Sequence, residues 1–154
     1  MFFNRGKKDK YVSFMTGKIV ALEKVGDPVF ASKQIGDGFA IEPTAGEVYA
    51  PCDGKVVTVF PTGHAFGFQQ KNGCEILLHL GIDTVELKGK GFEAFITEGE
   101  NIKAGDLIAK MDLESVRNSG KCVTSMMIFT TGETIELIDS GEVEAKKELK
   151  LIMK

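Results

Sequence analysis

Hydrophobic positions in this chain come in short runs that break every few residues at glycine, proline, Asn or Asp. Gly17-Lys18-Ile19-Val20-Ala21-Leu22 stops near Gly26-Asp27-Pro28, and Val29-Phe30-Ala31 is a short apolar run. Gly36-Asp37-Gly38 reads as a turn, because glycine supplies positive φ without strain. Phe39-Ala40-Ile41 and Glu47-Val48-Tyr49-Ala50 follow, and Asp53-Gly54 reads as a hairpin dipeptide before Lys55-Val56-Val57-Thr58-Val59-Phe60. Lys71-Asn72-Gly73 predicts a second hairpin, joining Phe66-Gly67-Phe68-Gln69 to Cys74–Leu80. Further strands are expected at 91–95, 107–111, 122–128, 134–137 and 147–152. One short helix is expected over 112–118, opening on a capping Asp112 and closing near Gly120. About a dozen short strands with turns between them predict an all-β fold, an antiparallel sandwich or barrel with short helical turns.

No linker rich in Pro and Ser divides the chain. We expect a flexible N-terminal tail over 1–15 and a single domain over 16–154. Thr16-Gly17-Lys18-Ile19-Val20 resembles Asp53-Gly54-Lys55-Val56-Val57, as two related strands in one sandwich would. At 154 residues, 43% hydrophobic and 27% charged, the chain has a globular composition. A net charge of −3 argues against a general nucleic-acid binder, and no apolar stretch approaches the ~20 residues that span a bilayer. The first ten residues, MFFNRGKKDK, are basic, with Arg5, Lys7, Lys8 and Lys10 against Asp9. No apolar h-region follows them, so they are not a secretory signal. Cys52, Cys74 and Cys122 are odd in number and outside any CxxC, which predicts reduced thiols rather than a disulfide framework or zinc site.

The only two histidines are His64 and His79. His79 sits inside Ile76-Leu77-Leu78-His79-Leu80, where desolvation lowers an imidazole pKa and keeps the ring neutral. A neutral ring nitrogen is a nucleophile. Folding back at Asn72-Gly73 sets the two rings side by side across an antiparallel pair. On the residues alone, three readings stand: structural histidines, part of a metal site, or phosphoryl transfer through one ring with the other stabilising phosphoryl oxygens.

One extended stretch narrows this. Gly73–Val85, continuing through Glu86-Leu87-Lys88-Gly89-Lys90-Gly91-Phe92, resembles the active-site signature of the glucose-type enzyme IIA family of the bacterial phosphoenolpyruvate-dependent sugar phosphotransferase system. Asp27–Ala31, Ile35–Ile41, Ala50–Gly54 and Thr62–Phe66 resemble it in the right order. Gln34 and Leu77 depart from it, standing where members often carry an apolar residue and an aromatic. The resemblance implies an antiparallel β-sandwich whose His79 accepts a phosphoryl group on Nε2 from phospho-HPr and passes it to a cysteine of a partner IIB domain. It implies that His64 hydrogen-bonds the phosphoryl group, that Thr62 orients His64, and that a carbonyl near Gly81 fixes the tautomer of His79. It also implies a docking rim of Val29, Phe30, Ile35, Phe60, Phe66 and Val85, with Asp27, Asp83 and Glu86 meeting basic residues of HPr. No cofactor and no metal are implied, and the protein is expected to be a cytoplasmic monomer. The rival is a regulatory protein-binding module that uses the same His64/His79 face. A zinc peptidase of the lysostaphin type lacks its H-x-H here. A lipoyl or biotin carrier lacks its lysine hairpin, although Glu98–Leu107 shares that turn chemistry.

Overall fold

Most of the short apolar runs become strands. The computed structural model describes residues 9–154, so the basic segment MFFNRGKKDK lies outside the described residues apart from Asp9 and Lys10. The strands are β1 (Tyr11–Val12), β2 (Gly17–Ala21), β3 (Asp37–Pro43), β4 (Glu47–Tyr49), β5 (Gly54–Val59), β6 (Ala65–Gln69), β7 (Glu75–His79) and β8 (Phe92–Ala94). They continue with β9 (Asn101–Ile102), β10 (Leu107–Met111), β11 (Ser125–Phe129), β12 (Ile135–Leu137), β13 (Glu142–Val143), β14 (Glu148–Leu149) and β15 (Leu151–Met153). Two short helices, α1 (Pro28–Ala31) and α2 (Leu113–Asn118), and 3₁₀ turns at Leu22–Lys24 and Thr84–Leu87 complete the described residues. Eight strands form one sheet in the order β13-β2-β3-β11-β7-β6-β5-β9, with every neighbour antiparallel. A three-stranded sheet, β4-β10-β8, and two ribbons, β1-β14 and β12-β15, complete an all-β antiparallel architecture, as expected.

The main core lies on one face of the large sheet and draws on residues from Tyr11 to Leu149, including Phe14, Phe66, Phe68, Leu78 and Phe129. A smaller cluster on the other face joins Leu22, Val25, Phe30, Ala40, Ile82, Met126 and Ile128. β11 is buried throughout because its sides serve different clusters: Met127 and Phe129 enter the main core, Met126 and Ile128 the smaller one. This is why its sequence is a continuous apolar run rather than an alternation.

Several expectations change in detail. Residues 11–15 are not a flexible tail: Tyr11 and Val12 pair with β14, and Phe14 and Met15 are fully buried. The Tyr11 hydroxyl donates to Gln70 Oε1 at 3.0 Å, bolting this segment to the turn of the β6–β7 hairpin. Val29-Phe30-Ala31 is helical, because Asp27 caps the turn and Pro28 presets its first φ. Asp53-Gly54 does not turn a hairpin. β4 and β5 lie in different sheets, and the Asp53 carboxylate instead accepts from Ala104 N at 2.9 Å. Asn72-Gly73 does join a hairpin, β6 to β7. The chain expected as one last strand is broken between β14 and β15, and the strand expected at 122–128 begins at Ser125. The two related Gly-Lys segments occupy matching places: β2 and β5 are each second from an edge of the large sheet, outside which lie only the short strands β13 and β9. Among the described residues no helix is long and apolar enough to cross a membrane. The three thiols are free, and burial pushes Cys52 up to about 12.

Gly36-Asp37-Gly38 is an approach rather than a turn, since Asp37 and Gly38 already belong to β3. A Cβ on Gly38 would lie 1.9 Å from the Met127 carbonyl oxygen of β11. Gly38→Ala is therefore expected to destabilise the fold by about 3 kcal/mol, because a backbone oxygen cannot step aside. Urea unfolding of the two proteins measures this.

Candidate active site

His79 closes β7, paired with Ala65 of β6 on one side and Met126 of β11 on the other. Side chains alternate along β7, so Ile76 and Leu78 enter the main core while Leu77 and His79 face the smaller cluster. Phe30, delivered by α1, sits with its ring centroid 4.9 Å from that of His79. The chain then turns sharply at Gly81, φ +78°. That turn brings the Gly81 carbonyl 2.8 Å from His79 Nδ1. A carbonyl only accepts, so Nδ1 carries the proton and Nε2 keeps its lone pair in the neutral ring. Only glycine fits here, because a Cβ would lie 2.4 Å from Thr84 Cγ2 in a backbone region that other residues rarely adopt. The turn is held from both sides. Gly81 N donates to Ser125 Oγ at 3.2 Å, and Thr84 Oγ1 donates to the Leu80 carbonyl at 2.6 Å.

His64 lies just before β6, and its carbonyl accepts from Leu80 N at 2.7 Å. The strand register is one residue from that needed to set the two histidines directly opposite. Their rings nevertheless meet edge to face, with centroids 5.1 Å apart and planes at 82°. His64 is only 3% exposed. Its Nδ1 is hydrogen-bonded to the Thr62 hydroxyl, and Phe60 and Phe92 flank its ring at 5.5 and 6.5 Å.

The expected rim divides. Val29, Phe60 and Val85 are exposed, at 45, 39 and 53%. Phe30 is buried in the smaller cluster, and Ile35 packs against it. Phe66 is a correction. It is fully buried in the main core, stacked near Phe68, because its place in β6 points it away from the histidine face. Asp27 spends one carboxylate oxygen on Val29 N at 2.8 Å, capping α1. Asp83 is exposed, with φ +59°, and Glu86 is paired with Lys121. The sequence reading passed over Phe92, Leu77, Ser125 and Thr84 as site residues. In the sequence Ser125 shows only as a hydroxyl at the head of the apolar Met126–Phe129 run.

Burial, together with the neighbouring His79 ring, lowers the His64 pKa to about 4. Burial also lowers that of His79, while the Gly81 carbonyl and the carboxylates of Asp27 and Asp83 oppose the shift. Both rings are therefore neutral at pH 7. Among the described residues, no group of three or more His, Cys, Asp and Glu side chains is placed to hold a metal ion.

Fold and site together define an antiparallel β-sheet protein that presents a tautomer-fixed neutral imidazole beside a second one, next to exposed apolar side chains. Residues 9–135 match the family described as phosphoenolpyruvate-dependent sugar phosphotransferase system, EIIA 1. The chain is 47% identical over 145 residues to the glucose-specific EIIA component of the PTS of Mycoplasma capricolum, covering 93% of each chain. It is 46% identical over 139 residues to that of Staphylococcus epidermidis, covering 90% of this chain and 84% of that one. The glucose-specific EIICBA component of Streptococcus pneumoniae is 43% identical over 141 residues, which span 90% of this chain and 19% of that much longer protein. Among solved structures, glucose permease IIA from Mycoplasma capricolum superposes with a TM-score of 0.89 at 44% identity, covering 98% of this chain and 99% of that one. This chain belongs to the EIIA 1 family of the phosphoenolpyruvate-dependent sugar phosphotransferase system, the family its sequence resembles.

The unfolded chain binds a proton at His64 near pH 6.5, the folded chain only near pH 4. Unfolding therefore takes up protons between those values, and stability is expected to fall as pH drops through that window. His64→Gln should flatten this dependence, as urea unfolding at pH 7, 6 and 5 would measure.

Proposed function

We propose that this protein is a phosphocarrier that accepts a phosphoryl group from phospho-HPr on His79 Nε2 and passes it to the cysteine of a IIB domain, driving sugar uptake and phosphorylation. The observation that carries this reading is the Gly81 carbonyl on Nδ1 of a desolvated His79, which leaves the Nε2 lone pair available. In the first step the Nε2–P bond forms as the bond from phosphorus to the donor breaks. In the second, the IIB thiolate attacks phosphorus and the N–P bond breaks, returning a neutral ring. Positioning and charge stabilisation supply most of the catalysis in such transfers.

His64 and Thr62 complete the site. His64 hydrogen-bonds the phosphoryl oxygens without carrying the group, and Thr62 holds its ring by the bond at Nδ1. Val29, Phe60 and Val85 form an apolar docking face, while Asp27, Asp83 and Glu86 attract a basic donor such as HPr. Such charge complementarity speeds encounter more than it tightens the complex, which suits a carrier that must let go. The sugar we propose is glucose, the sugar named in the relatives, and the protein would work as a monomer in the cytoplasm.

Transfer from phosphoenolpyruvate through enzyme I and HPr tests these roles. His79→Ala is expected to accept no phosphoryl group. His64→Gln is expected to accept it but hand it to IIB about 100-fold more slowly, the usual cost of removing one group that stabilises developing charge. Full acceptance by His79→Ala would overturn the assignment.

A further inference from the structure

Phe30 reaches His79 from an excursion, residues 22–36, that leaves the large sheet after β2 and returns at β3. Its two ends are neighbours in the sheet, where Ala21 pairs with Phe39. A helix of four residues cannot hold itself, since isolated helices well below ~12–15 residues are marginal in water. The apolar packing beneath it is non-directional and does not by itself select one seat for Phe30. Something must fix the register of the excursion against the sheet.

Three charged side chains stand at its mouth. Lys33 follows α1 in a left-handed conformation, φ +63°, with its N–H on the Phe30 carbonyl at 3.0 Å. Its ammonium lies 3.3 Å from Asp37 Oδ1 in β3 and 3.6 Å from Glu23 Oε1. Asp37 is a fixed post. Its side chain is only 12% exposed, Oδ1 also accepts from Gly38 N at 2.9 Å, and Oδ2 accepts from Ile135 N of β12 at 2.8 Å. Glu23 is largely exposed and adds little, as surface ion pairs do. Asp37 thus ties the excursion to two strands at once.

We infer that Lys33 and Asp37 form a clamp that positions Phe30 against His79, making Lys33 a positioning residue for the reactive imidazole. This goes beyond the phosphocarrier reading and rests on it only for its consequence: the clamp keeps the acceptor ring dry and neutral. The titratable and charged groups that face His79 directly are His64, Asp27 and Asp83. Lys33 would act on the ring through Phe30.

The test is the His79 imidazole pKa, followed by NMR on the full, unphosphorylated chain. Lys33→Gly removes the charge and tolerates the left-handed backbone, so the denaturation midpoint should barely move. Phe30→Leu removes the aromatic cover while filling the cluster. Each is expected to raise the His79 pKa by about half a unit to one unit, as water returns to the ring. Lys33→Arg should restore the original value, and Lys33→Gly in the Phe30→Leu background should add no further shift. The clamp is overturned if Lys33→Gly leaves the His79 pKa unchanged, or shifts it equally with Phe30 already replaced, which would mean that the lysine acts by its charge alone. None of these readings requires phosphoryl transfer, so failure of the clamp and failure of the phosphocarrier reading are separable.

Discussion

Everything at this site depends on one hydrogen bond, from His79 Nδ1 to the carbonyl of Gly81 at 2.8 Å. Without it neither the tautomer nor the plane of the ring is set. The bond exists because the chain reverses within two residues of the end of a strand, and it can reverse there only at a glycine. Ser125 holds the Gly81 amide and Thr84 holds the preceding carbonyl, so one peptide unit is fixed from β11 on one side and a 3₁₀ turn on the other. Deep in the sheet, β7 is flanked by β6 and β11, and all of this rests on strands that cannot slide without breaking two ladders.

The site also resolves a conflict between dryness and access. A histidine in water would be partly protonated near neutral pH and a poorer nucleophile. A fully buried one could not meet a macromolecular partner. His79 sits on the face of the sheet turned away from the main core, roofed on one side by Phe30 and left partly open on the other. His64 takes the drier position, at 3% exposure, with its own hydroxyl partner. The smaller apolar cluster is what makes this arrangement possible. It gives the outer face of β3, β11 and β7 a hydrophobic floor, and the excursion between β2 and β3 covers that floor only as far as the histidines.

Much of this was legible in the residues. The strands, the Asn72-Gly73 hairpin, the capped helix at Asp112 and the closeness of the two histidines follow from periodicity, turn chemistry and counting. Where the reading went astray, a tertiary contact outweighed a local signal. Asp53-Gly54 has the chemistry of a hairpin turn, but Val48 and Val56 belong to strands of different sheets. Gly36 and Gly38 looked like turn residues and are instead points where two backbones nearly touch. Asp27-Pro28 carried a helix-start signal that was masked by the apolar run behind it. Phe66 was assigned to the rim by resemblance; the observed register sets Ala65 rather than Phe66 opposite His79, which turns Phe66 into the main core. Ser125 acts on the Gly81 amide from a distant strand, a pairing that nothing local in the chain announces, whereas Thr84 reaches back only to the Leu80 carbonyl.

The central claim is therefore about a proton. Long-range proton–nitrogen NMR of the uniformly nitrogen-15-labelled protein at pH 7 reports which nitrogen of His79 bears it. The account predicts a neutral ring with the proton on Nδ1 and an unprotonated Nε2. A ring protonated on Nε2 instead, or an imidazolium at that pH, would contradict it, because the nitrogen proposed to carry the phosphoryl group would then have no free lone pair.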